Sequence, residues 1–142
     1  MVRRRAYRPL DAVRSIAMAL PETTERLSHG SPTFFIRGKQ TFVMFVDDHH
    51  GDHVTGIWCA APLGAQAELV DDEPDRFFVP PYVGGRGWLG VRLEQPMADG
   101  ELETIIREAY LHVAPKKLAA LLTSPPSEKS DPLSMTMVVG KS

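Results

Sequence analysis

A chain of 142 residues, 43% apolar and 24% charged, is long enough to enclose one hydrophobic core and has the balance of a globular domain, which excludes disordered and collagen-like chains. No apolar run reaches the ~20 residues that span a bilayer, and the single Cys59 excludes an internal disulfide. The net charge of -2 hides an asymmetry: residues 1–40 hold eight Arg and Lys against Asp11, Glu22 and Glu25, whereas residues 41–75 hold eight Asp and Glu and no Arg or Lys.

In chain order, Leu10, Val13, Ile16, Ala17 and Leu20 recur three or four residues apart and predict a helix over residues 9–20, stopped by Pro21. Residues 22–31 contain a short strand, because Thr24, Arg26 and Ser28 alternate with Glu25 and Leu27. The β-branched and aromatic stretches 33–36 and 41–46 flank Arg37-Gly38-Lys39-Gln40, whose glycine suits a tight turn, so they form a hairpin. A polar connection over residues 47–52 leads to a strand within 53–60 and completes a meander of at least three antiparallel strands.

A short helix follows over residues 64–72, then strands over 76–79 and 88–93. Pro80-Pro81-Tyr82-Val83-Gly84-Gly85-Arg86-Gly87 between them has too much proline and glycine for regular pairing and must be a shaped loop. Asp99 is the expected N-cap of a helix with apolar positions Leu102, Ile105, Ile106, Ala109 and Tyr110. Pro115 interrupts it and opens a last helical segment over residues 116–122. The order predicts an α+β fold, a two-layer α/β sandwich in which helices pack on one face of an antiparallel sheet. Its single domain spans residues 1–122, and residues 123–142, rich in Ser, Pro, Glu and Lys, form a flexible tail.

The densest cluster of chemistry-bearing residues is Asp47-Asp48-His49-His50-Gly51-Asp52-His53. A metal site needs three or four ligands converging. On a hairpin turn neighbouring side chains splay into water, and the spacing matches neither H-E-x-x-H nor paired C-x-x-C, so a solvated turn is the expectation and no metal or cofactor is predicted. Asp71-Asp72-Glu73 with Asp75 lacks the spacing of a calcium loop and reads as solvated charge. Cys59 lies in an apolar strand beside Trp58, as a buried thiol would, and Ser28-His29-Gly30-Ser31-Pro32 is turn chemistry. No catalytic residue is assigned, and the chain is expected not to be an enzyme.

The remaining lead is cationic. Arg37 and Lys39 occupy a hairpin tip, Arg86 a glycine-rich loop and Lys116-Lys117 the start of a helix. Phosphate is attracted to such groups if folding collects them on one face, and dispersed solubilising charge is the alternative.

Three segments resemble the MmcQ/YjbR family: Ser28-His29-Gly30-Ser31-Pro32-Thr33-Phe34-Phe35-Ile36-Arg37-Gly38-Lys39, Phe77-Phe78-Val79-Pro80-Pro81-Tyr82-Val83-Gly84-Gly85-Arg86-Gly87-Trp88-Leu89-Gly90-Val91, and Glu108-Ala109-Tyr110 through Ala114-Pro115-Lys116-Lys117-Leu118. The resemblance covers about residues 10–122 and implies a small α/β sandwich similar to the double-wing arrangement. It implies a DNA-binding role by analogy of fold and brings no catalytic residue with it.

The first expected function is therefore non-catalytic nucleic-acid binding through Arg37, Lys39, Arg86, Lys116 and Lys117, with Trp88 stacking. The alternative is a protein-interaction or small-ligand domain with a groove around the loop from Pro80 to Trp88. A cytoplasmic monomer with no membrane partner is the expected setting, since the basic start Arg3-Arg4-Arg5 is followed by no apolar leader.

Overall fold

The computed structural model describes residues 7–48, 51, 53–98 and 100–123. The elements run α1 (Pro9–Met18), β1 (Thr23–Ser28), β2 (Ser31–Ile36), β3 (Gln40–Asp47), β4 (Thr55–Cys59), α2 (Ala65–Asp72), β5 (Phe77–Phe78), β6 (Leu89–Arg92), α3 (Glu101–Val113) and α4 (Lys116–Thr123). The strands form one antiparallel sheet in the order β1-β2-β3-β4-β6-β5. The α+β class and the meander follow the sequence expectation.

Where boundaries differ, local chemistry accounts for it. Helix α1 opens on proline, whose missing N–H costs nothing in a first turn, and stops at Met18 rather than residue 20. Leu20 instead donates its N–H to the Ala17 carbonyl, three residues back, since Pro21 disfavours helical geometry in the residue before it. The turn between β1 and β2 is only two residues long. His29 and Gly30 both adopt positive φ, 53° and 81°, which matches the twist of the flanking strands and lets Ser28 face Ser31. Asp99 lies outside the described residues, and Gly100 directly precedes α3.

Alternation along the strands divides the sheet into two faces. Phe34, Val43, Ile57, Cys59, Leu89, Val91 and Phe77 lie on the inner face and are buried. The helical layer covers it: α3 packs across β3, and α1 packs on both α3 and β1. The Tyr110 ring meets Phe42 edge-on, with centroids 5.4 Å apart. Leu118 of α4 joins the same core, and Leu122 shares a cavity wall with Ile16, Leu20 and Arg107. Helix α2 lies against β5. At the sheet margin, Arg14 donates from Nε and Nη2 to the two carboxylate oxygens of Glu25, at 2.7 and 2.8 Å, and so ties α1 to β1. That fork holds the Glu25 carboxyl below its ordinary value, because the hydrogen bonds favour the charged form.

Candidate binding groove on the outer sheet face

The outer face carries Arg26, Thr33, Phe35, Met44, Trp58, Gly90, Arg92 and Phe78, as cross-strand register requires: Met44 pairs with Trp58, Trp58 with Gly90, and Gly90 with Phe78. Among the described residues, no helix packs on this face as α1 and α3 pack on the other. Arginines lie over its aromatic rings instead, with the Arg26 guanidinium 3.7 Å from the Phe35 centroid and that of Arg92 5.6 Å from Phe78. Each planar cation shields an apolar ring from water while keeping its own hydration.

Over Trp58 the cover is the loop of residues 79–88. Within it Gly84–Arg86 forms a single 3-10 turn, so the proline- and glycine-rich stretch is shaped as expected. Gln66 of α2 anchors the loop by donating from Nε2 to the Gly84 and Trp88 carbonyls, at 2.8 and 2.6 Å. Tyr82 sits at positive φ, 66°, and is 77% exposed, with its ring 6.3 Å from that of Trp58.

Between this loop, β3 and the β1–β2 turn lies a groove of about 770 Å³ lined by Ser28, His29, Gly30, Ser31, Thr41, Met44, Asp47, Trp58, Tyr82, Val83, Arg86 and Trp88. That volume is within the usual range for small-molecule sites. Register fixes its long axis. Asp47 faces Thr55 at one end of β4, Met44 faces Trp58 in the middle, and Trp88 comes one residue past the Leu89–Cys59 pair. Asp47 and Trp88 are thus about five residues apart along β4, roughly 17 Å. The serines and His29 of the β1–β2 turn fall at the Asp47 end, since Thr33 already faces Met44.

The groove's ends are built differently. At one, the Arg86 guanidinium lies 5.4 Å from the Trp88 ring centroid, and Arg86 makes no ion pair among the described residues. At the other end Asp47 closes the groove, three residues past Met44 and so with its side chain on the opposite face of β3, where its carboxylate accepts the Thr55 hydroxyl at 2.8 Å. The floor between them is the two indoles and Met44, with Trp58 and Trp88 only 3% and 6% exposed.

Of the six residues singled out from sequence, the structure brings Arg86 and Trp88 together in this groove. Arg37 and Lys39 stand at the β2–β3 turn, where Arg37 donates from Nε to the Glu22 carboxylate at 2.8 Å. Lys116 and Lys117 are exposed in the first turn of α4, in the helical layer. Tyr82 and Val83 belong to the Pro80–Trp88 loop around which the alternative reading of the sequence placed a groove; the lining residues that reading did not name are Thr41, Met44, Asp47, Trp58 and the β1–β2 turn. Met44 and Trp58 come together only through the β3–β4 register, which pairs them on one face.

Of the histidine-rich turn, His49, His50 and Asp52 lie outside the described residues. His53 is exposed, its Nδ1 3.3 Å from Asp48 Oδ1. Among the described residues no three His, Cys, Asp or Glu side chains are grouped to hold a metal, and no helix is long and apolar enough to cross a membrane.

Cys59 is fully buried on the inner face, and burial pushes its thiol up to about 12 by disfavouring the thiolate. At pH 8 a disulfide reagent such as Ellman's is expected to label the native protein only as fast as it unfolds, and denatured protein at once. Stoichiometric labelling of native protein within seconds would contradict that burial.

The YjbR family model matches residues 18–112, which takes in all six strands. The crystal structure of Deinococcus radiodurans protein DR2400, a DUF419 domain, is similar with a TM-score of 0.63 at 19% identity, over 82% of this chain and 88% of that one. The likeness is one of fold. Comparison with curated proteins gives no match.

Proposed function

The chain belongs to the YjbR family, and from the groove that its fold builds we propose that it is a non-catalytic binding domain for a small ligand. The observation that carries this is the pairing of both tryptophans of the chain with an arginine free of ion pairs among the described residues, in one groove of ligand size. Binding sites join an apolar floor, which contributes most of the affinity, to a few polar groups that set orientation.

A catalytic role has less support. A serine nucleophile needs a base within hydrogen-bond reach, and His29 makes no side-chain hydrogen bond to Ser28 or Ser31 among the described residues. The Cys59 thiol faces the core and stays protonated.

Nucleic-acid binding is the competing reading, and the distribution of charge favours it less. A phosphate backbone needs several cations along one surface. Here Arg14, Arg37, Arg76 and Arg92 are ion-paired to carboxylates, and Lys116 and Lys117 lie in the helical layer while Arg86 is on the outer face.

Because Trp58 and Trp88 both line the groove, intrinsic fluorescence reports its occupancy directly. A panel of small aromatic compounds is expected to contain members that raise the melting temperature and shift tryptophan emission saturably, at one compound per chain. Compounds that stabilise the fold while leaving the emission unchanged would place the site elsewhere. Salt-sensitive binding of short duplex or single-stranded DNA that persists in Arg86→Gln would favour the nucleic-acid reading instead.

A further inference from the structure

Both indoles that line the groove are covered in this structure, Trp58 being 3% and Trp88 6% exposed, and side chains of the 79–88 loop lie against each of them. We propose that this loop is a lid in its closed position, latched by Gln66, and that its opening admits small molecules to the two indoles. The hinges and the latch stand on the geometry of the loop, and only what they admit rests on the binding role proposed above.

Three observations carry this. First, the covering piece is built separately from the sheet beneath it. The β5–β6 ladder ends at the Phe78–Gly90 pair, so the chain from Val79 to Trp88 lies outside it. Within the loop, Arg86 donates its N–H to the Val83 carbonyl and Gly87 to that of Gly84, both at 3.0 Å, so the 3-10 turn closes on itself. Such a turn keeps these bonds when it moves as a unit.

Second, the turn is bounded by two residues at positive φ, Tyr82 at 66° and Gly87 at 85°. Tyr82 is the centre of a three-residue turn closed by the Val83 N–H on the Pro81 carbonyl at 2.6 Å. With φ positive this is the mirror form of the common γ-turn, which a residue with a Cβ adopts under strain. Gly87 takes its conformation without strain and is the freer of the two hinges. The strain at Tyr82 belongs to the closed position and is released when the turn leaves it.

Third, the Gln66 amide ties the turn to α2. Its Nε2 donates to the Gly84 carbonyl on the moving side of Gly87 and to the Trp88 carbonyl on the fixed side, at 2.8 and 2.6 Å. Both amide hydrogens are thereby committed, and neither alanine nor glutamate has a donor to replace them. No residue of α2 is buried, so this latch can be cut without opening the core. Tyr82 beside Trp58 and Arg86 beside Trp88 travel with the turn, which is how its displacement uncovers both indoles.

Acrylamide quenching of tryptophan emission follows the lid with no ligand present, because the chain has two tryptophans and the loop lies against both. Quenching of the wild-type protein should be weak. Gln66→Ala and Gln66→Glu should each raise the quenching constant roughly threefold or more by populating the open position, with a melting temperature within about 5 °C of wild type. Gly87→Ala should act in the same direction by a different route. Its Cβ would meet nothing within 4 Å, but a φ of 85° disfavours alanine in the closed position, and opening relieves that cost.

Quenching that stays at the wild-type level in the Gln66 variants overturns the proposal. A rise accompanied by a melting temperature lowered by more than about 5 °C, or variants that do not fold, overturns it too, because the loop would then be part of the fold that it covers. Failure of the binding role has a different signature: the variants are quenched as expected, while aromatic compounds move neither the emission nor the melting temperature of any of these proteins.

Discussion

Gly56→Ala is expected to lower stability by about 3 kcal/mol, at the upper end for overpacking a core. Gly56 sits in β4 opposite Val46 of β3 on one side and Arg92 of β6 on the other. A Cβ at this position would lie 2.0 Å from the Val91 carbonyl oxygen, 3.0 Å from its carbon and 3.3 Å from the Arg92 Cα. All three are backbone atoms, so no side-chain rotation relieves the clash. Either β6 moves away from β4, breaking ladder hydrogen bonds in the middle of the sheet, or β4 bends.

The measurement is thermal and denaturant unfolding. A fall in melting temperature of roughly 10 °C or more is expected for a domain of this size. Gly85→Ala serves as the control, because nothing lies within 4 Å of a Cβ there, and it should stay within about 0.5 kcal/mol of wild type. The damage should also reach the groove, since Trp58 and Gly90 belong to the same pair of strands. A Gly56→Ala protein that melts within 2 °C of wild type, a threshold of roughly 0.5 kcal/mol, would mean that β4 and β6 are not in this register.

That register also separates what was legible in the sequence from what was not. Helix α3 could be read because a single face is buried, so Leu102, Ile106, Ala109 and Tyr110 keep a helical period in sequence and in space. The β2–β3 hairpin could be read because its strands are β-branched and aromatic and its turn contains Gly38. Arg86 and Trp88 stood out because they are close in sequence within a conspicuous loop.

Trp58, in contrast, sits in an apolar run and looks like core. Its place on the groove floor depends on Met44 and Gly90 across two ladders, and no local pattern encodes that. The register shift at Phe34/Phe35 adds to this, because it puts Thr41 opposite Phe35, where strict alternation back from Met44 would have placed Phe42. Arg37 shows the same limit for charge. As a turn residue it reads as an available cation, yet Thr23 faces Ile36, so the next residues outward, Glu22 and Arg37, meet and pair. A tally of cations along the chain counts groups that the hairpin has already committed.

Tyr110→Ala should cost about 3–5 kcal/mol, the range for deleting a large buried aromatic side chain, and Tyr110→Phe about 1–2 kcal/mol for its hydroxyl alone. Tyr110 is fully buried, its ring edge-on to Phe42 of β3, and its hydroxyl donates to the Pro21 carbonyl at 2.7 Å. Pro21 lies between α1 and β1, so this one side chain joins α3, the central strand and the entry to the outermost strand. The phenylalanine variant keeps the ring packing and leaves the carbonyl to find water, which separates the two contributions.

The two proteins should also part company in alkali. Burial raises the Tyr110 phenol above its ordinary value of 10.0 by disfavouring the phenolate, and the Glu22 carboxylate adds to this while Arg37 opposes it. A group whose folded value is raised contributes stability that is complete below the unfolded value. That stability is lost as pH rises through the folded value. Wild-type unfolding midpoints in urea should therefore fall more steeply above about pH 10 than those of Tyr110→Phe. Tyr7 is raised too, by burial and by Glu94, and contributes equally to both proteins, so the difference between the curves isolates Tyr110. Parallel curves up to about pH 12 would show that the hydroxyl is not held against Pro21 in a buried site.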